Sequence, residues 1–482
     1  MFLGIDVGTS GVKAVIVDGQ GAVAAQFTAS IPILRPRANW SEQNPVDWWA
    51  ATCNAVLRLP RSLRAKIEAV GLAGQMHGAT LLGKDDKPLR PAILWNDGRA
   101  EAQCRELERR EPKMRSITGN AAMPGFTAPK LLWVREHESD IFAATRHVLL
   151  PKDYVRLHMT GDKATDVSDA SGTLWLDVGM RRWSPEMLAA CDLTESHMPK
   201  LHEGNTIAGT LRAEIAAQWG MARVPVAAGG GDNAAGAVGA GVVTPGRALI
   251  SLGTSGVLFT STNIFSPAPG QGAHAFCHAL PGRWHQMAVL LSAASALDWA
   301  TNFGRFSTVT AALDSIRGQV PFCGAEIFLP YLSGERTPHN DPHARGTLIG
   351  LTHDTRLNDM VMAVMEGVAF AFADGLAVLE AAGARVDEIQ VIGGGSKAAI
   401  WGPILATALR KPLHYAKDGD VGPAYGAARL ARLALTSEDI AAVCTVLELH
   451  HIVEPDPALE ASAHAKHLRF RKLYPALKGQ FS

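Results

Sequence analysis

GIDVGTSGVKAVIVD, residues 4–18, consists of two apolar, β-branched runs joined by the turn Gly-Thr-Ser-Gly. The same four turn residues recur in ALISLGTSGVLF at 248–259, about half the chain further on. Apolar runs on either side of a Gly-rich turn predict a strand–turn–strand unit. Repetition over so long a distance predicts a duplicated domain rather than a short-period solenoid.

Length and composition limit the class of protein. A chain of 482 residues is too long for one hydrophobic core, so we expect at least two domains. Lys plus Arg and Asp plus Glu both number 46, so no large basic field is available for nucleic acid or an anionic membrane. The N-terminus has no signal-peptide pattern, and no uninterrupted apolar run is long enough to span a bilayer. The six cysteines are scattered, which suits a reducing compartment. We therefore expect a cytoplasmic protein without nucleic-acid or membrane partners.

Both halves alternate predicted strands and helices, which indicates an α/β protein. A three-stranded meander over 2–30 is followed by a helix in NPVDWWAATCNAVLRL, residues 44–59, with Asn44 as its cap. Its apolar side chains at helical spacing are Val46, Trp49, Cys53, Val56 and Leu57. The second half contains a long helix closed by Gly383. The turn TPGRA at 244–248 predicts a boundary between domains 1–243 and 244–482.

Each Gly-Thr-Ser-Gly turn has two interpretations. One turn alone is more simply a plain hairpin, because Gly-rich turns are common. Two turns at matched positions of two domains favour a phosphate site, since such turns present several backbone N–H groups to one concavity. The candidate phosphate contacts are Thr9 and Ser10 in the first turn and Gly253 and Thr254 in the second.

The two turns differ in charge, because Asp6 aligns with Ser251. A carboxylate at the end of the first strand can hold a Mg²⁺ ion that bridges phosphates, directly or through water. A second carboxylate facing the same phosphates would add repulsion. We therefore predict that the first turn carries the metal site at Asp6, and that the second turn only donates hydrogen bonds.

A third Gly-rich element, VIGGGSKAAIW at 391–401, lies between a predicted strand and a predicted helix. Its glycines Gly393, Gly394 and Gly395 are candidates for close contact with a nucleotide. The segment also matches a dinucleotide fingerprint loosely, with Asp418 near the position of a ribose-binding acid. The loop therefore fits either adenosine or a nicotinamide cofactor.

Asp232 is the strongest single candidate for catalysis. It follows a strand and three glycines and precedes a helix of small residues in VPVAAGGGDNAAGAVGAG. A helix N-terminus stabilises an ionised carboxylate, and Asp is also an ordinary N-cap. Three successive glycines favour close approach of a ligand, which capping alone does not require.

Together these motifs resemble the FGGY family of carbohydrate kinases, within the superfamily of actin, hexokinase and chaperone ATPases. Two further stretches are similar to family signatures, GFTAPKLLWVREH at 125–137 and GTLIGLTHDTRLNDMVMAVMEG at 346–367. The resemblance spans residue 2 to about 435. It implies an α/β fold of two actin-like, ribonuclease H-like domains with the active site in the cleft between them. It also implies ATP and Mg²⁺ as cofactors, with the sugar on the first domain and the nucleotide on the second.

Within the family, the motifs GQMHG, ILWNDGR, LLPKDY and YLSGERTPHNDP are similar to those of members that phosphorylate D-xylulose. Glycerol-specific members carry an Arg-Glu pair in place of Met76 and His77, which argues against glycerol. The resemblance implies that Asp232 is the general base and Asp6 the metal-associated carboxylate. It implies Met76 and His77 as sugar contacts, with Asn233 and Asp97 as weaker candidates.

Other functions remain open on the sequence alone. Another family member would act on ribulose, gluconate or fuculose through a different sugar pocket. A non-kinase ATPase would share the phosphate turns, and a nicotinamide dehydrogenase would use the GGGS loop. The loop 333–346 is either part of the site or a solvated connection, and the oligomeric state, including a homodimer, is undetermined.

Overall fold

The computed structural model describes residues 1–417 and 422–481. The first half of the chain contains the mixed sheet that carries Asp6. Its strands are β1 (Phe2–Val7), β2 (Gly11–Val17), β3 (Val23–Ser30), β4 (Glu42–Gln43), β5 (Ala69–Gly74), β6 (Thr80–Leu82), β7 (Ala92–Ile93), β8 (His147–Leu149), β9 (Ala164–Asp166), β10 (Leu176–Asp177), β11 (Arg182–Trp183), β12 (Lys200–His202), β13 (Ile207–Thr210), β14 (Pro225–Ala227) and β15 (Gly230–Gly231). Its helices are α1 (Pro45–Leu57), α2 (Arg61–Arg64), α3 (Glu101–Arg110), α4 (Met114–Thr118), α5 (Thr127–His137), α6 (Ser139–Ala144), α7 (Pro151–Thr160), α8 (Val167–Ser171), α9 (Pro185–Ala189), α10 (Ala213–Trp219) and α11 (Asp232–Ala240).

The second half is built in the same way around another mixed sheet. Its strands are β16 (Gly246–Leu252), β17 (Gly256–Thr262), β18 (His274–Cys277), β19 (Trp284–Leu290), β20 (Ile327–Leu329), β21 (Thr347–Ile349), β22 (Val386–Ile392), β23 (Leu413–Ala416) and β24 (Leu449–Val453). Its helices are α12 (Ala294–Phe303), α13 (Val309–Ser315), α14 (Leu357–Ala381), α15 (Trp401–Leu409), α16 (Pro423–Thr436), α17 (Ile440–Val443) and α18 (Glu460–Leu477).

The two sheets have the same central topology. The first has the order β13-β14-β5-β1-β2-β3, with β1 antiparallel to β2 and parallel to β5. The second has the order β18-β19-β17-β16-β22-β23-β24, with β16 antiparallel to β17 and parallel to β22. Each Gly-Thr-Ser-Gly turn connects the central antiparallel pair of its sheet. The predicted meander and the predicted duplication of an α/β unit are therefore confirmed.

Helix α16 belongs to the second half of the chain but packs against β1, β5 and α11 of the first half. The backbones approach so closely that only glycine fits. A Cβ atom at Gly4 would lie 1.8 Å from the carbonyl oxygen of Ala424, and one at Gly426 would lie 1.7 Å from that of Ala235. This packing fixes β1, which carries Asp6, relative to α11, which begins at Asp232.

The buried face of α1 differs from the prediction. Trp48 is completely buried, whereas Val46 is 56% exposed and Leu57 is 40% exposed. The indole N–H of Trp48 donates a 2.9 Å hydrogen bond to Gln43 Oε1, so this ring has a polar partner inside the core. The spacing of the apolar residues fits two neighbouring faces of the helix, and contacts distant in sequence select the one that is buried.

Helix α14 is the longest apolar helix of the described residues, although charged residues interrupt its apolar run. By length and composition Leu357–Ala381 could cross a bilayer, but 94% of its most apolar segment is buried inside the protein. It packs against α12, α15 and β19, and Gly383 follows it with a φ of +90°. Its apolar character is therefore that of a core helix, closed by the predicted glycine.

Candidate active site

A cavity of about 200 Å³ contains four of the side chains that the sequence predicted for the site. Met76, His77, Asp232 and Asn233 line it together, although the first pair follows β5 and the second pair begins α11. Residues from both halves complete the lining, namely Trp95, Met123, Gly125, Phe126, Ser255, Val257, His274, Phe276, Met287, Val289 and Arg336. The cavity is therefore mostly apolar, with a few convergent polar groups, as is typical of small-molecule sites.

His77 has a defined protonation state. Its Nδ1 lies 2.6 Å from the carbonyl oxygen of Gly172, which can only accept a hydrogen bond, so Nδ1 carries the proton. Burial lowers the pKa of His77 to about 3, and the charge of Lys130 lowers it further. The ring is therefore neutral, and Nε2 can accept a hydrogen bond from a hydroxyl group.

The backbone of His77 is held in an unusual conformation. Its φ is +70°, in the left-handed region that is uncommon for residues other than glycine. The carbonyl oxygen accepts hydrogen bonds from Lys130 Nζ at 2.9 Å and from Thr127 Oγ1 at 3.2 Å. Lys130 is fully buried in α5, so this residue of the 125–137 signature positions His77.

Two glycines leave room for the Met76–His77 pair. A Cβ atom at Gly172 would lie 2.5 Å from the His77 ring, and one at Gly231 would lie 2.9 Å from Met76 Cγ. Met76 is buried, so it has little freedom to move away. The glycine before Asp232 therefore allows Met76 to pack closely at the wall of the cavity.

Asp232 is the first residue of α11, and Gly231 is the N-cap. The Oδ1 atom of Asp232 accepts hydrogen bonds from the backbone N–H of Asn233 at 2.7 Å and from its Nδ2 at 2.9 Å. Burial raises the pKa of Asp232 to about 6, although both hydrogen bonds from Asn233 oppose the rise. The carboxylate can therefore gain or lose a proton close to neutral pH.

Asp6 lies near Asp232 and shares its electrostatic environment. In β1 it stands opposite Lys13 of β2 and Ala73 of β5. Burial and then the charge of Asp232 raise the pKa of Asp6 to about 7, while the charge of Lys13 opposes the rise. Its Oδ1 atom is buried and has no hydrogen-bond partner among the described residues. A cation placed at this oxygen would stabilise the ionised form.

The residues present fit a Mg²⁺ ion whose coordination shell is completed by a substrate. Within the described ranges, no group of three or more His, Cys, Asp or Glu side chains could hold a metal alone. Mg²⁺ is usually bound through one or two carboxylates together with phosphates and water. The unpartnered oxygen of Asp6, in the strand just before the first turn, could provide one such ligand.

The loop that carries Asp232 rests on a buried charge cluster. Lys152 Nζ lies 2.7 Å from Asp153, 2.9 Å from Asp166 and 3.0 Å from Asp169, and all four side chains are fully buried. Asp166 also accepts hydrogen bonds from both the backbone and the hydroxyl group of Ser168. The same hydroxyl oxygen accepts a 3.1 Å hydrogen bond from the N–H of Gly231. The motif LLPKDY thus supports the loop that carries Asp232.

The first turn is held by polar side chains of the first half. Thr9 Oγ1 donates to Gln75 Oε1 at 2.9 Å and accepts from Trp95 Nε1 at 3.0 Å. Gln43 Nε2 donates to the Thr9 carbonyl oxygen at 2.7 Å. The Thr9 hydroxyl is therefore already paired, whereas Ser10 is exposed. Of the two candidate hydroxyl residues in this turn, Ser10 is the more exposed.

The second turn is held by the start of α12. The Thr254 carbonyl oxygen accepts from the Ala293 N–H at 3.0 Å and from Ser295 Oγ at 2.7 Å. The Gly253 carbonyl oxygen accepts from the Ala294 N–H at 2.8 Å. The Thr254 side chain is exposed. This turn therefore presents an exposed hydroxyl.

The third glycine element lies against the second turn. Gly393 has a φ of +92°, and a Cβ atom there would lie 2.8 Å from the Leu252 carbonyl oxygen. A Cβ atom at Gly395 would lie 2.6 Å from Leu252 Cγ, whereas at Gly394 it would meet no heavy atom of the described residues within 4 Å. Gly394 is thus the open position of the loop, and Gly393 and Gly395 allow it to pack beside the turn.

Asp97 is not among the residues that line this cavity in the described part of the chain. Its Oδ1 accepts from the backbone N–H of Arg99 at 3.0 Å and from Nε of Arg99 at 2.9 Å. Its Oδ2 accepts from Arg99 Nη2 at 2.7 Å and from the Ser41 N–H at 2.6 Å. These structural partners occupy both oxygens. Asp418, considered as a ribose-binding residue, lies outside the described residues.

Sequence reasoning missed the polar groups on the far side of the cavity. Arg336 comes from the loop 333–346, whose role the sequence left open, and this placement makes it part of the site. His274 lies in β18, and its Nδ1 is 2.9 Å from Asn120 Oδ1 of the first half. The motif YLSGERTPHNDP was a signal for Arg336. Nothing local marks His274, because its partner is distant in sequence.

The two halves of the chain match the two parts of one protein family. Residues 1–239 match the model of the FGGY family of carbohydrate kinases, N-terminal domain. Residues 248–435 match the model of the FGGY family of carbohydrate kinases, C-terminal domain. The matches together cover most of the chain and agree with the resemblance seen in the motifs.

Individual relatives are similar over the whole length. The chain is 51% identical to the xylulose kinase of Escherichia coli strain K12, with 99% of each chain covered. It is 38% identical to the xylulose kinase of Bacillus subtilis strain 168, over 89% of this chain and 87% of that one.

Solved structures have the same fold. The xyloylose kinase from Brucella ovis superposes with a TM-score of 0.97 at 47% identity, with 99% of each chain covered. The glycerol kinase of Plasmodium falciparum with ADP superposes with a TM-score of 0.89 at 20% identity and 98% coverage of each chain, which bears on the fold alone. The predicted architecture of two actin-like α/β domains is confirmed.

Proposed function

Because this chain belongs to the FGGY family of carbohydrate kinases, we propose that it transfers the γ-phosphoryl group of ATP to D-xylulose. The products are ADP and D-xylulose 5-phosphate, as a step of xylose breakdown. The observation that carries the proposal is the cavity where Asp232 meets Met76 and His77. Full-length similarity to proteins named xylulose kinases supports the choice of sugar.

Asp232 is the proposed general base. The terminal hydroxyl oxygen of the sugar attacks the γ-phosphorus, the bond to the β-phosphate oxygen breaks, and the hydroxyl proton moves to the Asp232 carboxylate. A base works best when its pKa is near the working pH, and burial raises the pKa of Asp232 to about 6. The two hydrogen bonds from Asn233 fix the orientation of the carboxylate.

The sugar is held by groups whose polarity suits hydroxyl donors. Neutral His77 offers Nε2 as an acceptor, since its Nδ1–H group donates a hydrogen bond to the carbonyl oxygen of Gly172. Met76 and Phe126 supply apolar surface for the carbon chain. Buried acceptors of this kind discriminate strongly against analogues that lack the matching hydroxyl group.

The phosphates of ATP are proposed to bind between the two turns. The contacts come from backbone N–H groups, with the exposed Ser10 and Thr254 hydroxyls as additional donors. Gly393, Gly394 and Gly395 form the wall of the nucleotide site beside the second turn. When Mg²⁺ is bound at Asp6, it neutralises phosphate charge.

These positions assign a different substrate to each domain. We propose that domain 1–243 binds the sugar and carries the base, and that domain 244–482 binds the nucleotide. Closure of the cleft would then bring the two substrates together and exclude water that could accept the phosphoryl group.

The setting of the enzyme is also part of the proposal. All six cysteines are free, which suits the cytoplasm, where ATP is supplied. The balanced charge favours small-molecule substrates over nucleic acid or an anionic membrane. A homodimer is the proposed assembly, and sedimentation velocity would test it by the mass of the particle.

The deciding experiment measures ADP release with a panel of sugars. D-Xylulose should stimulate release more than D-ribulose, gluconate, fuculose or glycerol, and the product should carry phosphate on the terminal carbon by ³¹P NMR. Greater stimulation by another sugar would change the substrate. Release without stimulation by any sugar would indicate a plain ATPase and overturn the proposal.

A further inference from the structure

Arg336 is a cation in the sugar cavity whose role is not explained by the steps above. Its loop is anchored to β19, because Thr337 N–H donates to the Val289 carbonyl oxygen at 3.1 Å and Leu291 N–H donates to Glu335 Oε1 at 3.0 Å. Thr337 Oγ1 also donates to the Gly272 carbonyl oxygen at 2.9 Å. The guanidinium group is therefore placed in the cavity by a fixed loop.

The hydrogen bonds around His274 show that Arg336 is a donor toward it. Asn120 Nδ2 donates to the carbonyl oxygens of Thr118 at 2.8 Å and Ala275 at 2.9 Å, so Asn120 Oδ1 is an acceptor. His274 Nδ1 must then donate to that oxygen, which leaves Nε2 as an acceptor. Arg336 Nη1 lies 3.3 Å from this Nε2. One N–H group of the guanidinium is thereby used.

The rest of the guanidinium faces the cavity without a carboxylate partner in the described part of the chain. The neighbouring Glu335 is directed elsewhere, since its Oε1 accepts the backbone N–H groups of Leu291 and Arg336. Burial raises the pKa of Glu335 to about 8, so this side chain is largely neutral at pH 7. A guanidinium has five N–H donors, and those left over are available to the acceptor atoms of a ligand in the cavity.

The chemistry of a 2-pentulose supplies such an acceptor. The ring of this sugar closes through the terminal hydroxyl, which is also the hydroxyl that attacks ATP. The reactive sugar must therefore be the open-chain ketone, whose C2 carbonyl oxygen accepts hydrogen bonds and donates none. His77 Nε2 and Asp232 are acceptors that match hydroxyl protons, whereas Arg336 is the charged donor of the lining.

We propose that Arg336 donates a hydrogen bond to the C2 carbonyl oxygen of the bound open-chain ketose and thereby selects ketoses over polyols. The inference rests on the proposed function. Arg336 is a specificity residue here, because it contacts the substrate away from the reacting hydroxyl. His274 and Asn120 orient it through the chain of hydrogen bonds already described.

The test observes the carbonyl carbon of [2-¹³C]-D-xylulose bound without nucleotide. In the wild type the bound label should resonate as a ketone, displaced downfield from the free ketone because a charged donor polarises the C=O bond. Arg336→Met should abolish this displacement, and Arg336→Lys should reduce it. Arg345→Met is the matched control, since Arg345 is exposed in the same loop and should retain the full displacement.

Steady-state kinetics provide the second measurement. Arg336→Met and Arg336→Lys should lower kcat/KM for D-xylulose by about 10- to 100-fold, the effect of losing a charged hydrogen bond. The ratio of kcat/KM for D-xylulose to that for xylitol, which has no carbonyl group, should fall with it. If Arg336→Met does not fold, the lysine variant still answers both questions.

The outcomes separate this inference from the proposed function. A bound label that resonates as a hemiketal, or an equal displacement in wild type and both Arg336 variants, overturns the role of Arg336 while leaving the kinase intact. Equal losses on ketose and polyol also overturn it. A wild type that neither binds D-xylulose nor releases ADP with it overturns the proposed function itself.

Discussion

The two Gly-Thr-Ser-Gly turns have the same residues but different surroundings. The first follows Asp6 and is hydrogen-bonded to Gln75, Trp95 and Gln43 of the first half. The second follows Ser251 and is tied through its carbonyl oxygens to the first residues of α12. The strand–turn–strand backbone is therefore repeated, and the side chains around each turn determine which of the two carries charge.

The charge is concentrated at one turn because two carboxylates meet there. Asp232 raises the pKa of Asp6, so ionising both without a cation is unfavourable. Ser251 lies between Val257 and Ile392 in its sheet and brings no comparable charge. The first turn therefore lies beside two carboxylates whose ionisation is coupled, whereas an uncharged serine occupies the matching position before the second turn.

The largest expected effect on turnover comes from removing the carboxylate of Asp232. Asp232→Asn keeps the size of the side chain and the start of α11 but cannot accept a proton. Turnover with D-xylulose and ATP should fall by roughly 10² to 10⁴-fold. Steady-state ADP release measures it, with nucleotide affinity by calorimetry unchanged.

The matched control is Asp140→Asn, which alters an exposed acidic residue in the first turn of α6. It should leave turnover within twofold of the wild type, about the size expected for a surface substitution. An Asp232→Asn variant that keeps most of its sugar-dependent turnover would remove Asp232 from the mechanism and leave only its role at the helix N-terminus.

The second prediction makes the two turns alike. Asp6→Ser gives the first turn the residue that precedes the second, and it should lower turnover by about 10- to 100-fold, as is usual for changes near a metal. The Mg²⁺ concentration required for half-maximal rate should rise. Ser251→Ala, the equivalent change in the second turn, should leave the Mg²⁺ requirement unaltered. A loss of D-xylulose affinity in Asp6→Ser, with an unchanged Mg²⁺ requirement, would contradict the assignment.

The repeated turns show what the sequence could predict. Strands, turns and glycines follow from local patterns, so β1, β2, β16 and β17 were expected at almost the observed bounds. The pairing of Asp232 with Met76 and His77 was available only through family resemblance, because β5 and α11 are distant in sequence. The spacing of residues along the sequence does not by itself predict that these three side chains meet.

The differences between expectation and structure have a common physical cause. Asp97 was a candidate sugar contact, and in the structure Arg99 and Ser41 donate hydrogen bonds to its oxygens, a pairing that depends on the fold of the loop. Trp48 rather than Trp49 is the fully buried tryptophan of α1 for a similar reason. Arg336 was hidden in a polar loop whose composition is equally typical of solvent exposure. In each case long-range packing selects among residues that are locally equivalent.

The third prediction concerns pH and tests the order in which the two carboxylates ionise. Asp232 must be ionised to accept a proton, so kcat/KM for D-xylulose should fall as the pH drops through about 6. The charge of Asp232 raises the pKa of Asp6 to about 7, so Asp6 is still largely protonated when Asp232 ionises. The midpoint near pH 6 should therefore stay in place in both Asp6→Ser and Ser251→Ala. A midpoint that moves to lower pH in Asp6→Ser alone would show that Asp6 ionises first and raises the pKa of Asp232.

The smallest effect is on stability and has the opposite direction from the loss of activity. The pKa of Asp6 is about 7 in the folded protein and near 3.8 when unfolded, so folding favours its protonated form. This contribution is complete below pH 4 and is lost as the pH rises through 7, where the ionised carboxylate opposes folding. Asp6→Ser should therefore unfold at a higher temperature than the wild type at pH 8, and the difference should be smaller at pH 5. Because Asp6 is partly exposed, we expect about 1–2 kcal/mol at pH 8. Asp140→Ser should show the same small difference at both pH values, and a lower melting temperature of Asp6→Ser at pH 8 would mean that the carboxylate stabilises the first turn.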